Sequence, residues 1–267
     1  MSTERLDGLR VLASRFDDFL VDVWGVIHDG EKPFAGVVDA LERLAKVGGK
    51  RVLFLTNTSR ARDAVIETLT GQMKIDRGLF FDVVSSGDVT RAALEQWPEA
   101  RCYHYGDPSF VPWLFETGLT MVDDLAGADL VVASGAPRDA SALANVRALL
   151  EPAAKRDIPL VCSNPDRVIP KASGPGIGPG AVARAYAELG GRVFLYGKPH
   201  RPIYDVARRR LGADEGRRIV AIGDLLETDI AGAQAAGIAN VLVTRDDQAI
   251  TPADGPTPDM RLARFAW

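Results

Sequence analysis

The stretch Phe19-Leu20-Val21-Asp22-Val23-Trp24-Gly25-Val26-Ile27-His28-Asp29-Gly30 decides the fold. It opens as an apolar, β-prone run, the pattern of a buried parallel strand. Gly25 and Gly30 then turn the chain sharply. Asp22 sits at the carboxyl end of the run. A carboxylate there is costly unless a cation, a set of hydrogen bonds or chemistry explains it. In open α/β sheets that end of a strand is where ligands bind. Asp22 is therefore a candidate active group; the competing account is a capping aspartate that bonds turn amides.

Reading outward, Leu6, Leu9, Val11, Leu12 and Phe16 fall at mostly helical spacing ahead of this strand. Behind it, Val37, Val38, Leu41, Leu44 and Ala45 mark one face of a helix that Gly48-Gly49 should end. Arg51–Ser59 reads as a strand running into a polar turn, a helix is expected around Asp63–Met73, and a strand near Asp82–Ser86. Strands alternating with helices make βαβ units, hence an α/β fold with a Rossmann-like parallel sheet. The middle repeats the alternation: strands at Arg101–Tyr105, Asp129–Ala133 and Ile158–Cys162, helices near Val89–Gln96, Ser109–Glu116 and Ala140–Leu149. The run Ser173-Gly174-Pro175-Gly176-Ile177-Gly178-Pro179-Gly180 should hold no regular structure. A helix from about Ala181 to Leu189 leads to strands at Val193–Tyr196, Arg218–Ile222 and Asn240–Val243, and Thr251–Asp259 reads as a surface tail. The expected organisation is a core made of residues 1–86 and 181–267, with an α/β domain of residues 87–180 inserted.

The chain has 267 residues, 46% hydrophobic and 25% charged, ordinary for a globular protein with a full core. A net charge of -4 gives no basic footprint for nucleic acid or an anionic membrane. No apolar run is long enough to span a bilayer, and the N-terminus lacks the apolar stretch of a signal peptide. Cys102 and Cys162 have no CxxC partner, which argues for reduced, buried thiols, a cytoplasmic setting and no zinc site.

Four strand ends carry groups that chemistry can use: Asp22; Thr56 with Asn57 and Thr58; Lys198 in Gly197-Lys198-Pro199; and Asp224 with Asp229 in Gly223-Asp224-Leu225-Leu226-Glu227-Thr228-Asp229. In a parallel sheet these ends open on one edge. Several carboxylates cannot share a crevice uncompensated, so a divalent cation is implied, and hard oxygen ligands suit Mg²⁺ better than zinc. A lysine and a hydroxyl facing such a cation are what a phosphoryl dianion needs.

In order and context these segments resemble the four motifs of the haloacid dehalogenase-like (HAD) superfamily. The insertion, with Ser163-Asn164-Pro165-Asp166, resembles the large α/β cap of the class IIA, NagD-like and phosphoglycolate-phosphatase-like branch. The resemblance implies a phosphohydrolase acting on a small phosphorylated metabolite. Asp22 would form an aspartyl-phosphate, Thr56 and the amides near Asn57 and Thr58 would bind phosphoryl oxygens, and Lys198 would stabilise charge. Mg²⁺ would be held by Asp22, Asp224 and a carbonyl at Trp24, with support from Asp229. Asn164 and Asp166 would contact substrate, the inserted domain would select the leaving group, and caps of this branch often mediate homodimers.

One departure stands out. Phosphatases of this family usually carry a second aspartate two residues after the nucleophile, where it protonates the leaving oxygen. Here that position is Trp24, whose indole N–H is a donor without acid–base chemistry near neutral pH. Three readings follow. His28 or Asp29, which otherwise read as a solvated turn pair, supplies the proton, or the substrate needs none; the reaction is dehalogenase-like; or the pocket binds phosphate esters without turnover. Arg60 and Arg167 could meet a second anionic group, while His104, His200 and the set Phe110, Trp113 and Phe115 read as packing residues.

Overall fold

The computed structural model describes residues 3–106, 108–110, 113, 114, 116–137, 142–169, 176–212, 216–244 and 255–267. The chain forms two compact units: Met1–Thr56, Arg62–Val84 and Lys198–Trp267 make the first, Asn57–Ala61 and Ser85–Gly197 the second. Among the described residues the strands are, in chain order, β1 (Glu4–Leu6), β2 (Asp18–Val21), β3 (Arg51–Thr56), β4 (Asp82–Ser85), β5 (Arg101–Tyr105), β6 (Thr120–Val122), β7 (Leu130–Ala133), β8 (Leu160–Cys162), β9 (Val168–Ile169), β10 (Gly176–Ile177), β11 (Val193–Leu195), β12 (Ile219–Gly223), β13 (Ala239–Val243) and β14 (Met260–Leu262).

The first unit is built on a sheet of order β1-β14-β13-β12-β2-β3-β4. The β1–β14, β13–β14, β12–β13, β12–β2 and β2–β3 pairings are all parallel. The key strand is central: Val21 is in register with Ile222 on one side and Phe54 on the other. Its apolar side chains are fully buried because helices cover the sheet, so an uninterrupted apolar run suits it better than alternation. The helix Val37–Val47 buries Val37, Ala40, Leu41 and Leu44 on one face and ends at Gly48, where the spacing places it. The helix expected over 63–73 is shorter, Arg62–Glu67, and runs into a wide turn in which the Met73 amide bonds the Thr68 carbonyl.

At the amino ends of β2, β3 and β12 the chain collects charge. Asp18, 1% exposed, accepts hydrogen bonds from Arg51 Nε at 2.8 Å and Arg217 Nε at 2.9 Å. Burial alone would raise its pKa, but the bonds from Arg51 and then Arg217 reverse that and hold it below the ordinary value. A depressed carboxyl pKa stabilises the fold above its unfolded value, and that contribution is lost as pH falls through the folded value. Asp18→Asn should therefore cost about 3 kcal/mol at pH 7, since it removes the buried negative charge that Arg51 and Arg217 both meet. The loss should shrink below about pH 4, where the unfolded carboxyl is itself protonated; equilibrium denaturation at both pH values measures it.

The second unit carries a parallel sheet of order β11-β8-β7-β5-β6 and a short antiparallel pair, β9–β10. The expected boundary at residue 181 is wrong for this reason. Val193 and Leu195 of β11 pair with Leu160 and Cys162 of β8, so β11 extends this sheet and not the core sheet. The preceding helix, Pro179–Glu188, buries Val182, Ala183 and Tyr186 in the same apolar cluster as Leu150 and Leu160. The second unit thus runs to Gly197 and the first resumes at Lys198. The Gly/Pro run is also more ordered than its composition suggests. Gly176 and Ile177 pair with Ile169 and Val168, and the helix starts at Pro179, where a missing amide costs nothing. The Gly178 and Gly180 amides donate to the Arg167 and Asp166 carbonyls. Residues 173–175 and 251–254 lie outside the described residues, as do parts of the helices expected over 109–116 and 140–149. Helix Ala142–Lys155 represents the latter, and Pro108–Phe110 form a single 3₁₀ turn. Trp113 packs on the cluster of Leu94 and Cys102, as a packing residue should; Phe115 lies outside the described residues.

Candidate active site

Asp22 follows directly on β2, and its amide donates to the Ile222 carbonyl at 2.9 Å, which extends the pairing with β12 by one residue. The parallel register therefore brings the Asp22 and Asp224 strand ends side by side. Asp229 arrives by a different route. After β12 the chain makes a wide turn at Leu226–Ile230, with the Ile230 amide reaching the Leu225 carbonyl five residues back. This swings the Asp229 carboxylate onto the end of the strand, where it accepts from the Leu225 amide at 3.1 Å. It packs so closely on Gly223 that a Cβ there would collide with the carboxylate.

Lys198 completes the group. Its ammonium donates to Asp22 Oδ1 at 2.6 Å and to Asp229 Oδ1 at 2.7 Å, and all three groups are buried. Burial works against the ammonium, but Asp22 and Asp229 outweigh it and raise the Lys198 pKa. Burial is also the leading influence on Asp22. Lys198 opposes it, Asp229 and Asp224 reinforce it, and the carboxyl pKa ends well above its ordinary value. Both directions say the same thing: three carboxylates face one ammonium, a formal charge of −2 that a single divalent cation would cancel. One oxygen from each of Asp22, Asp224 and Asp229 lies within 4.8 Å of the others, so the donor set fits such an ion. The cavity lined by Leu20, Asp22, Leu55, Lys198, Tyr204, Ala221, Ile222 and Asp229 is only about 10 Å³, room for one water and not for a substrate.

The loop after Asp22 is fixed by its own hydrogen bonds. Val23 O accepts from the Ile27 amide at 2.9 Å, and the Gly25 amide donates to His28 O at 2.9 Å. His28 is buried, its pKa is lowered mainly by that burial, and its Nδ1 accepts from the Gly30 amide. Asp29 Oδ1 accepts from the amides of Glu31 and Lys32, and the Lys32 amide leads in holding its pKa down. A carboxylate in that state is no general acid near neutral pH. Both side chains serve the turn. Trp24 projects outward, 39% exposed.

The other expected residues fall into two sets. Thr56 is buried at the end of β3, next to β2. Asn57, Thr58, Asn164 and Asp166 belong to the second unit, where they bond one another and their neighbours. Asn57 Nδ2 donates to Asp166 Oδ1 at 2.7 Å, Asn164 Oδ1 accepts from the Asp166 amide at 2.9 Å, and the Thr58 amide donates to Ser86 Oγ at 3.0 Å. His104 Nε2 lies 2.6 Å from Ser134 Oγ, and His200 occupies the N-cap of helix Arg201–Leu211 without a side-chain cap bond. Arg60 and Arg167 are exposed. Both cysteines are free and buried, and burial pushes each thiol up to about 12. Sequence reasoning passed over Tyr204, which lines the small cavity beside Lys198 and directs its hydroxyl at the Asp229 carbonyl, 3.4 Å away. Its position six residues after the lysine gave no signal, because buried tyrosines on helices are common. Among the described residues no helix is long and apolar enough to cross a membrane.

Comparison with known proteins agrees with this geometry. Residues 19–120 match the family described as haloacid dehalogenase-like hydrolase, and residues 195–263 match a HAD-hydrolase-like family. Human chronophin is 28% identical over 259 residues, covering 90% of this chain and 85% of that protein. The structure of a haloacid dehalogenase-like hydrolase from Brucella suis superposes with a TM-score of 0.84 at 29% identity, over 98% of this chain and 100% of that one. A glycerol phosphate phosphatase from Mycobacterium tuberculosis, solved in complex with calcium, gives a TM-score of 0.70 at 26% identity, over 91% and 70% of the two chains. With its two matched segments, a parallel α/β core and the acidic cluster at the carboxyl edge, the chain belongs to the haloacid dehalogenase-like hydrolase superfamily, class IIA, as a phosphatase-type enzyme.

Proposed function

We propose that this enzyme is a Mg²⁺-dependent phosphohydrolase for a small phosphorylated metabolite, working through an aspartyl-phosphate on Asp22. The observation that carries the reading is the Asp22 carboxylate, held 2.6 Å from the Lys198 ammonium at the end of a central strand, with Asp224 and Asp229 beside it. Asp22, Asp224 and Asp229, with the Trp24 carbonyl, would hold Mg²⁺, which would neutralise charge on the cluster and on the phosphoryl oxygens. Asp22 would attack phosphorus, and the Lys198 ammonium would keep it aimed and offset the charge on the transferred group. Thr56 would hold a phosphoryl oxygen, with the Asn57 amide next to it in the chain. The dehalogenase-like alternative explains neither the three carboxylates nor the phosphatases among the relatives.

Phosphate release from a panel of phosphate esters should vanish in EDTA and return with added Mg²⁺. Mg²⁺ should also raise the melting temperature, because an ion that binds only the folded state stabilises it. Halide release from 2-haloacids without metal, or saturable binding of phosphate esters with no turnover, would replace this reading with one of its rivals.

A further inference from the structure

Asp229 reaches the strand end because the chain makes a wide turn at Leu226–Ile230, a rare form that its own backbone holds poorly. The Ala231 amide is shared between the Leu226 and Thr228 carbonyls. Further support comes from helix Arg201–Leu211. Ile203, Ala207 and Leu211 recur every four residues and form its buried row. Tyr204 stands beside that row in the first turn, 1% exposed. A phenol keeps its proton near neutral pH, so it can donate to carbonyls. The Tyr204 hydroxyl lies 3.5 Å from the Thr228 carbonyl oxygen and 3.4 Å from that of Asp229, one donor between two acceptors. Its ring lines the small cavity together with Asp22, Lys198 and Asp229. The fit is close on the side of helix Ala231–Ala235 as well. A Cβ on Gly232 would collide with the hydroxyl and ring of Tyr204 and with Pro199 Cα. One side chain therefore touches the turn that carries Asp229, the cavity that Lys198 lines, and the helix that follows the turn.

We propose that Tyr204 is a positioning residue for this enzyme: its hydroxyl pins the Leu226–Ile230 turn and so fixes the Asp229 carboxylate against Lys198 and the metal. The proposal rests on the phosphohydrolase reading and deepens it. The Asp229 carboxylate is held by the Lys198 ammonium at 2.7 Å and by the Leu225 amide at 3.1 Å. Those bonds aim it only while the backbone that bears it stays in place, and Tyr204 anchors that backbone from a separate helix. Buried as it is, Tyr204 meets no substrate and enters no step of the reaction. Both of its contacts are longer than the about 2.7–2.8 Å usual for a hydroxyl donor. The hydroxyl is therefore worth a weak hydrogen bond, about 2- to 5-fold in an equilibrium constant. The ring contributes by filling the space beside Lys198, and its loss would let the whole group shift. A tyrosine that only filled space would pass its role to phenylalanine unchanged.

The test compares Tyr204→Phe and Tyr204→Leu with the wild type, each as the full chain. Three quantities are measured: Mg²⁺ binding by calorimetry, kcat and KM at saturating Mg²⁺ for the phosphate ester that the wild type cleaves fastest, and melting without metal. Tyr204→Phe should weaken Mg²⁺ binding about 2- to 5-fold and lower kcat by a similar factor. Tyr204→Leu also removes ring volume and should lower kcat by about 10²-fold, the scale of a misplacement near 1 Å. KM should hold in both variants, since the interaction lost is not one made with substrate. A purely structural tyrosine would change the melting temperature alone. Wild-type Mg²⁺ affinity and kcat in Tyr204→Phe overturn the proposal whatever Tyr204→Leu does, and so does a loss confined to KM. If Tyr204→Leu fails to fold, Tyr204→Phe still decides. If the wild type releases phosphate from no ester, the phosphohydrolase reading falls while the Mg²⁺ titrations still decide on Tyr204. A wild type that binds no Mg²⁺ overturns both.

Discussion

Asp22→Asn is expected to lower phosphate release by at least about 10⁴-fold, the scale on which removing a nucleophile that acts within a concerted set is felt. An amide cannot form the acyl phosphate, and the other carboxylates are occupied. Asp229 is bonded to Lys198 and to the Leu225 amide, and Asp224 lies one strand away. The fold should survive. Asp22 is a buried carboxyl with its pKa raised first by that burial and then by Asp229 and Asp224. A raised carboxyl pKa means the ionised form costs stability at neutral pH, and an uncharged amide of the same shape removes that cost. Metal-free Asp22→Asn should accordingly melt no lower than the wild type, while the melting shift produced by Mg²⁺ shrinks. A variant that keeps its turnover would remove Asp22 from the chemistry; one that melts much earlier would make it a structural residue instead.

Lys198→Met carries the second large effect, on stability as well as rate. The ammonium is the shared partner of two buried carboxylates, at 2.6 and 2.7 Å. Methionine matches its length and leaves Asp22 and Asp229 buried beside Asp224 with no cation. Breaking a buried pair from one side typically costs about 3–5 kcal/mol. The metal-free variant should lose about that much in denaturant titrations, and added Mg²⁺ should recover part of it. Turnover at saturating Mg²⁺ should still fall by about 10²–10³-fold, because a positive charge aimed at the transferred group is missing. Wild-type stability in the metal-free variant would mean that the ammonium does not bridge the two acids.

What was legible in the sequence follows from how locally each feature is encoded. Phe19–Asp22 and Ile219–Asp224 are apolar runs ending in an acid, and two such runs in a parallel sheet must meet at one edge; the Val21–Ile222 register shows that they do. Asp229 was harder, since a regular helix would carry residue 229 away from the strand end. The wide turn and the side-chain-free Gly223 bring it back, and neither shows as periodicity. The extent of the second unit was misread because Val193–Leu195 is a generic strand sequence. Which sheet it joins depends on Leu160–Cys162, some thirty residues earlier, and not on its own composition. β1 and β14 were missed for a related reason. Each has three residues and gains its order from pairing with a segment at the other end of the chain, Glu4 with Met260. The turn roles of His28 and Asp29 were legible as the alternative to a catalytic one, because an aspartate two and three residues ahead of backbone amides is a familiar turn.

The core sheet has an electrical polarity that bears on how the enzyme could be altered. Along its amino rim, Asp17 and Asp18 are matched by Lys50, Arg51, Arg217 and Arg218, so each acid there has a basic neighbour. Along the opposite rim the acids outnumber the lysine, a deficit that the proposed cation would make good. Resilience and reactivity are thereby parted by the length of a strand. On the proposed reading, directed evolution toward heat tolerance has room to work at the arginine-rich margin without disturbing turnover, whereas an added base at the other margin would silence the protein by taking the place of the cation.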